Sequence, residues 1–227
     1  MRINFKRRKE RKGVAIVEFS FIMLILVPLT LGTTAVGLNM LTTLSTVQVA
    51  RDVGHMYAKG TDFSQPGNQT VVLALASNLG LTTSASTSKS LVILSTVTYV
   101  DKAMCQSAGK VDSSGNPLGC TNYLKWVFTQ RTELGKTTLR TSNFGSPLTS
   151  GPNGVTLDPD SGRISLNDQV TKSGAVATFS GVNPYSNVNG TVTGLPSGQV
   201  IYISEVASTG ISMPYISQNI MYSYGMF

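Results

Sequence analysis

The sequence predicts an α+β protein: a long N-terminal transmembrane helix continuing into an extracytoplasmic domain with a small antiparallel sheet. Three observations point there. Residues 14–38, VAIVEFSFIMLILVPLTLGTTAVGL, are 25 apolar or small residues with one charge, Glu18. Residues 38–59 keep apolar side chains at helical spacing with a polar opposite face. After residue 90 the pattern changes to β-branched runs, LVILSTVTYV at 91–100, YLKWVFTQRTE at 123–133 and QVIYISEV at 199–206.

Composition narrows the function classes. The 227 residues allow one domain or two small ones. Charged residues are 13% of the chain, about half the ~25% of an average globular protein. Ser and Thr supply 26 residues each, and 41% hydrophobic content is enough for a core. One His and two Cys cannot build a four-ligand zinc or iron–sulfur site from the usual ligands, so no metal or cofactor is expected. The net charge of +7 is concentrated at one end: residues 1–12 carry +6, and the rest carries +1. The remaining Lys and Arg form no stripe interleaved with aromatics, so no nucleic-acid partner is expected.

The first element is the basic tail, residues 1–13, followed at once by the apolar run. As a helix that run is ~38 Å long, against a hydrocarbon core of ~30 Å. The cations precede it, which places the N-terminus in the cytoplasm and residues after 40 outside. A cleaved secretory signal would have a shorter apolar segment ending in an A-x-A site, and this run is longer and lacks one. Leu38, Leu41, Leu44, Val47, Ala50 and Val53 recur at every third position, so the helix is expected to continue to Lys59, with Pro28 as a possible kink and Gly60 as its stop.

Glu18 stands out within this helix. A carboxylate in an apolar span is costly unless it lies near an interface or has a partner. Two readings stay open. Glu18 reaches water at the boundary, or, if the chain is cut between Gly13 and Val14, it neutralises a new α-amino group on its own or a neighbouring subunit.

Lys12-Gly13-Val14-Ala15-Ile16-Val17-Glu18-Phe19 resembles the processing motif of type IV prepilins. More narrowly it is similar to the TadE-like pseudopilins, or minor pilins, of the tight-adherence (Tad) pilus system. Gly32 and Gly37 fall where that family often has a glycine pair, and residues 50–58, ARDVGHMYA, resemble its helix end. The likeness covers about residues 11–58; Pro28 lies further from Glu18 than the family's early proline, and the acidic residue common between the two glycines is missing. The resemblance implies a leader at 1–13, cleavage between Gly13 and Val14 by a prepilin peptidase, and assembly through Glu18 and Phe19. It also implies other pilins and pseudopilins as partners, an assembly platform with its ATPase acting indirectly, and membrane lipid around the helix. The protein would be held in the bacterial cytoplasmic membrane and reach the pilus or cell surface after assembly. It would not be an enzyme.

The outer region, 60–227, is read from its residues alone. Asn68 is expected to cap a helix over 69–79, ended by Gly80, and the Ser/Thr/Ala-rich 82–90 reads as a linker. Strands at 91–100 and 123–133 form a hairpin with a long loop, whose arms carry Cys105 and Cys120. Outside the cytoplasm these favour a disulfide closing a loop of about 15 residues, for about 3 kcal/mol; the alternative is two free thiols. Residues 137–197 read as loop with short strands at 163–166 and 175–179, then a strand at 199–206 and an edge strand within 216–227.

Other motifs point nowhere functional. Gly135-Lys136-Thr137 lacks the upstream glycine of a phosphate loop, and Asp158-Pro159-Asp160-Ser161-Gly162 reads as a turn. His55 reads as a surface or packing residue, and Asn68-Gln69-Thr70 and Asn189-Gly190-Thr191 match only a short glycosylation pattern. The second functional reading is an uncleaved, single-pass anchored domain that binds a ligand or envelope protein. A membrane-anchored hydrolase is a third, for which the single His offers little base.

Overall fold

The computed structural model describes residues 12–178, 198–210 and 219–227, the first three as backbone only. The leader up to residue 11, Phe179, the Asn189 motif and residues 211–218 of the tail lie outside the described residues. The architecture is α+β, with a long apolar helix before a four-stranded antiparallel sheet. The chain divides into two compact units, residues 1–41 and 42–227.

Within the first unit the only described element is helix α1, which spans Lys12–Ala58 overall and runs unbroken through Pro28. Here most of its apolar side chains are exposed, among them Phe19, Ile22, Ile25, Leu29 and Val36, while Ala35 is buried. A helix apolar all round is stable only in a core or a bilayer. Its hydroxyls are compatible with lipid: Ser20, Thr30, Thr33 and Thr34 each donate to a carbonyl one turn back. This helix, near the N-terminus, is long and apolar enough to cross a membrane.

The second unit is built on a sheet of order β2-β1-β3-β4, from β1 (Ser90–Tyr99), β2 (Trp126–Gly135), β3 (Val200–Thr209) and β4 (Ile220–Met226). All neighbouring pairs are antiparallel. Leu91, Val92, Ile93 and Leu94 of β1 are all buried, because both faces of this central strand are covered. On one face Val92, Leu94 and Val206 meet Val49, Ala50, Val53 and Tyr57 of α1, and Val72 and Ala76 from α2 (Pro66–Leu75) and the residue after it. Each fully buried valine or leucine here contributes about 1.5–3 kcal/mol. On the other face Val97 and Ile203 pack with Phe128, Phe144, Val170 and Cys105. That layer includes α3 (Lys102–Ser107) and α4 (Leu166–Thr171).

Several local expectations are corrected. The buried row of α1 is Thr46, Val49, Ala50, Val53 and Tyr57, whereas Leu44 and Val47 are exposed. A strict three-residue step turns about 60° away from one face at each repeat, so alternating three- and four-residue steps define the buried side. Helix α2 begins at Pro66, whose ring suits the first turn, and Asn68 lies inside it with Nδ2 donating to the Asp62 carbonyl at 2.7 Å rather than capping. It stops at Leu75; a 3₁₀ turn at Ser77–Leu79 then ends on Gly80 at φ 71°. Tyr123 and Leu124 precede β2, because Leu124 turns the chain at φ 63°. Of the segment 163–166, Arg163 and Ile164 make isolated bridges, and Ser165 caps α4 by accepting from the Asp168 amide. Ala175 lies in a 3₁₀ turn, and Val176 makes one bridge to Val127. Helix α3 was hidden in the expected loop; Asp101 caps it by accepting from the Met104 amide at 2.7 Å.

Candidate functional site

Gly13 and Val14 lie in the first turn of α1. Glu18 and Phe19 follow on the same helix, both exposed, Phe19 at 58%. Val14 and Glu18 are four residues apart, one above the other on one face of a helix. A cation at residue 14 would therefore sit within reach of the Glu18 carboxylate of the same chain, and an exposed Glu18 is also open to a cation from elsewhere. Among the described residues Glu18 has no ion pair. The chemistry this arrangement offers is charge pairing in an apolar setting.

Cys105 and Cys120 are joined in a disulfide, with Cα atoms 5.9 Å apart. Cys105 sits in α3 and Cys120 just before the turn into β2, so the bond ties the β1–β2 connection to the core. His55 packs against the Phe227 ring with centroids 4.6 Å apart, a packing role. Asp158 forms the expected turn, its side chain accepting from the Asp160 and Ser161 amides, and these bonds hold its carboxyl below the usual range.

A polar cluster escaped the sequence reading. Glu205 of β3 is 1% exposed and accepts from Tyr222 OH at 2.5 Å, Ser142 Oγ at 2.5 Å and the Asn143 amide at 3.1 Å. The Arg140 guanidinium stacks over the Tyr222 ring at 3.9 Å. Burial, and then the bond to the Glu205 carboxylate and its charge, push the Tyr222 phenol far above its ordinary pKa. The cluster leaves no room for a water molecule, so it fastens the 140–143 segment to the sheet rather than binding a ligand. A Glu on the alternating face that holds Ile201, Ile203 and Ala207 was the available signal. Beside it, buried Arg131 donates to Glu133 Oε1 at 2.8 Å and to the Gly145 carbonyl at 2.9 Å.

Two clefts in the second unit remain open. One, of about 390 Å³, is lined by threonines, Gln130, Arg163 and Tyr202. The other, of about 620 Å³, contains Thr42, Asn78, Ser88, Lys89 and Lys136. Among the described residues no group of three His, Cys, Asp or Glu is placed to hold a metal. No protein-family model, curated protein or solved structure matches the chain.

Proposed function

We propose that this chain is a TadE-like minor subunit of a Tad-type adhesion pilus. The observation that carries the reading is one exposed carboxylate, Glu18, one turn beyond a Gly13-Val14 pair at the head of a helix apolar on all sides. The helix holds the precursor in the cytoplasmic membrane, with the disulfide-tied unit outside, where oxidising conditions preserve the bond. A prepilin peptidase cuts after Gly13. The helix then packs among those of other pilins and pseudopilins, and the platform and its ATPase drive that assembly.

The mature N-terminus tests this reading. N-terminal sequencing of membrane and filament fractions should give Val14 as the first residue, leaving 214 of the 227 residues. A chain that keeps residues 1–13 in cells with an active leader peptidase would instead be an uncleaved anchored domain, and the pilin reading would fall. Gly13→Ala should slow the cut, because the residue before the bond must be small and flexible.

A further inference from the structure

The sheet has two edges, and the described chain covers only one of them. Along the outer side of β2, the Arg131 amide donates to the Gly162 carbonyl, the Ile164 amide to the Thr129 carbonyl and the Ala177 amide to the Trp126 carbonyl, each at 2.9 Å. Strand β2 also carries the charged side chains Arg131 and Glu133. The outer side of β4 has neither protection. Tyr202 and Phe227 exchange both backbone bonds at 3.0 Å, which fixes the alternation of the ladder. Met221, Ser223 and Gly225 therefore direct their amides and carbonyls to β3, and those of Ile220, Tyr222, Tyr224 and Met226 point outward. Among the described residues no group bonds to that outer row. Such a row is a template for another strand. Strand β4 also lacks the devices that keep an edge single: IMYSYGM contains no charge and no proline, and its register with β3 is continuous, without a bulge.

The strand's own sequence selects the partner. It is nearly palindromic about Ser223, with Tyr222 and Tyr224 flanking it and Ile220 and Met226 at the two ends. Antiparallel pairing with an identical strand, on a two-fold axis at Ser223, sets Tyr222 opposite Tyr224 of the second copy and Ile220 opposite Met226 of the second copy. These are the outward-directed residues, so every such opposed pair exchanges both backbone bonds. Ser223 meets its own equivalent as the closer, non-hydrogen-bonded pair, Met221 lies opposite Gly225 of the second copy, and no like charges face each other. Tyr224 already meets the Tyr222 ring at 6.0 Å and the Phe144 ring at 5.4 Å, and the cross-strand tyrosine pairs extend that aromatic group over both copies. We infer that β4 is a self-association edge, through which two copies of the chain pair antiparallel about Ser223 and join their four-stranded sheets into one. A seven-residue edge is a small interface, so the dimer forms at high local concentration rather than in dilute solution. The inference draws only on the unit 42–227 and does not depend on the pilus assignment.

The test uses the full chain in detergent micelles. Cys105 and Cys120 are joined, so Ser223→Cys adds a lone thiol and changes the strand by a single atom. Opposed residues of a non-hydrogen-bonded pair have Cα atoms ~4.5 Å apart, within the ~4.4–6.8 Å that a disulfide spans. Mild oxidation should therefore give a reducible dimer on a denaturing gel. Met221→Cys is the control, because the same register holds its two thiols ~13 Å apart along the strands, and its cross-linked yield should be several-fold lower. Ser223→Lys and Ser223→Glu should each weaken self-association about fivefold by setting like charges opposite each other. Mixing the two should restore it as a heterodimer, read by sedimentation in density-matched detergent. Thermal unfolding and an intact Cys105–Cys120 bond check that each variant keeps its fold. Cross-linking at residue 223 no greater than at 221 overturns the inference. So does self-association that the charged variants leave unchanged, as a dimer held by the apolar helix would be, or a loss that mixing does not recover.

Discussion

Glu18 poses a choice between two energies. If it only reaches water at the membrane boundary, removing its charge lowers the cost of insertion; if it pairs with an α-amino group in the assembled state, removal leaves that ammonium uncompensated in apolar surroundings. Pairing predicts that Glu18→Ala and Glu18→Gln leave membrane level and cleavage after Gly13 intact and reduce co-purification with other pilus components. Normal co-purification of both variants would reduce Glu18 to an interfacial residue. Gly54 offers a sharper residue-scale test, because a Cβ there would overlap the Phe227 ring. Gly→Ala in a helix ordinarily gains up to about 1 kcal/mol, and overpacking costs about 1–3 kcal/mol. Gly54→Ala should therefore destabilise the native chain yet stabilise a Phe227→Ala background, and thermal unfolding of the four-member cycle reads the reversal of sign. Tyr57 links stability to pH. Burial raises its phenol from 10.0 to about 12, against a smaller opposing effect of its 2.6 Å hydrogen bond with Thr96. Its contribution is complete below pH ~10 and is lost as pH rises toward the folded value, since the unfolded chain releases the proton first. Unfolding midpoints should fall between pH ~10 and ~12, and Tyr57→Phe should flatten that slope.

At the scale of elements, the disulfide is the most testable fastening. It closes a separation of 15 residues, and Cys105→Ala/Cys120→Ala should lower stability by about 3 kcal/mol in denaturant unfolding. Mass spectrometry without reduction should show the two cysteines in one cross-linked peptide pair, and quantitative alkylation of both thiols would contradict the structure. The elements themselves were unequally legible. Strands β1 and β3 could be read because their β-branched runs lie close to their actual bounds, and the long helix because its apolar run of 25 residues carries a single charge and passes into apolar residues at helical spacing. The start of β2 could not, because alternation continues through Tyr123 and Leu124 while the backbone at Leu124 turns to φ 63°, a conformation that side-chain polarity does not encode. Helix α3 was lost among turn residues, and at six residues it is too short to show a periodicity. The candidate site divides the same way. Gly13, Val14, Glu18 and Phe19 are contiguous and so visible in sequence, whereas Glu205, Ser142 and Tyr222 meet only through strand pairing and a loop crossing.

For the molecule as a whole, charge is distributed so that one cut would change its character. Residues 1–12 hold +6 of the net +7. Removal of residues 1–13 should move the isoelectric point from about 9.5 down toward neutrality, which isoelectric focusing of precursor and processed chains would register as two well-separated bands. A single basic band in cells with an active leader peptidase would agree with a retained leader.

The pairing of β1 with β3 has a consequence in time. Ser90 meets Ser208 and Thr98 meets Val200, so one edge of the central, most buried strand waits for a partner made much later. Chains are synthesised N-terminal first at about 5–20 residues per second, so on the order of 100 intervening residues take about 5–20 s. Its other edge is satisfied sooner, by β2. Through that interval the nascent protein presents an apolar hairpin with an open edge, the kind of surface that recruits a second strand from any chain nearby. Copies of the chain emerging close together would then cross-pair before they finish, unless a holding factor or spacing keeps them apart.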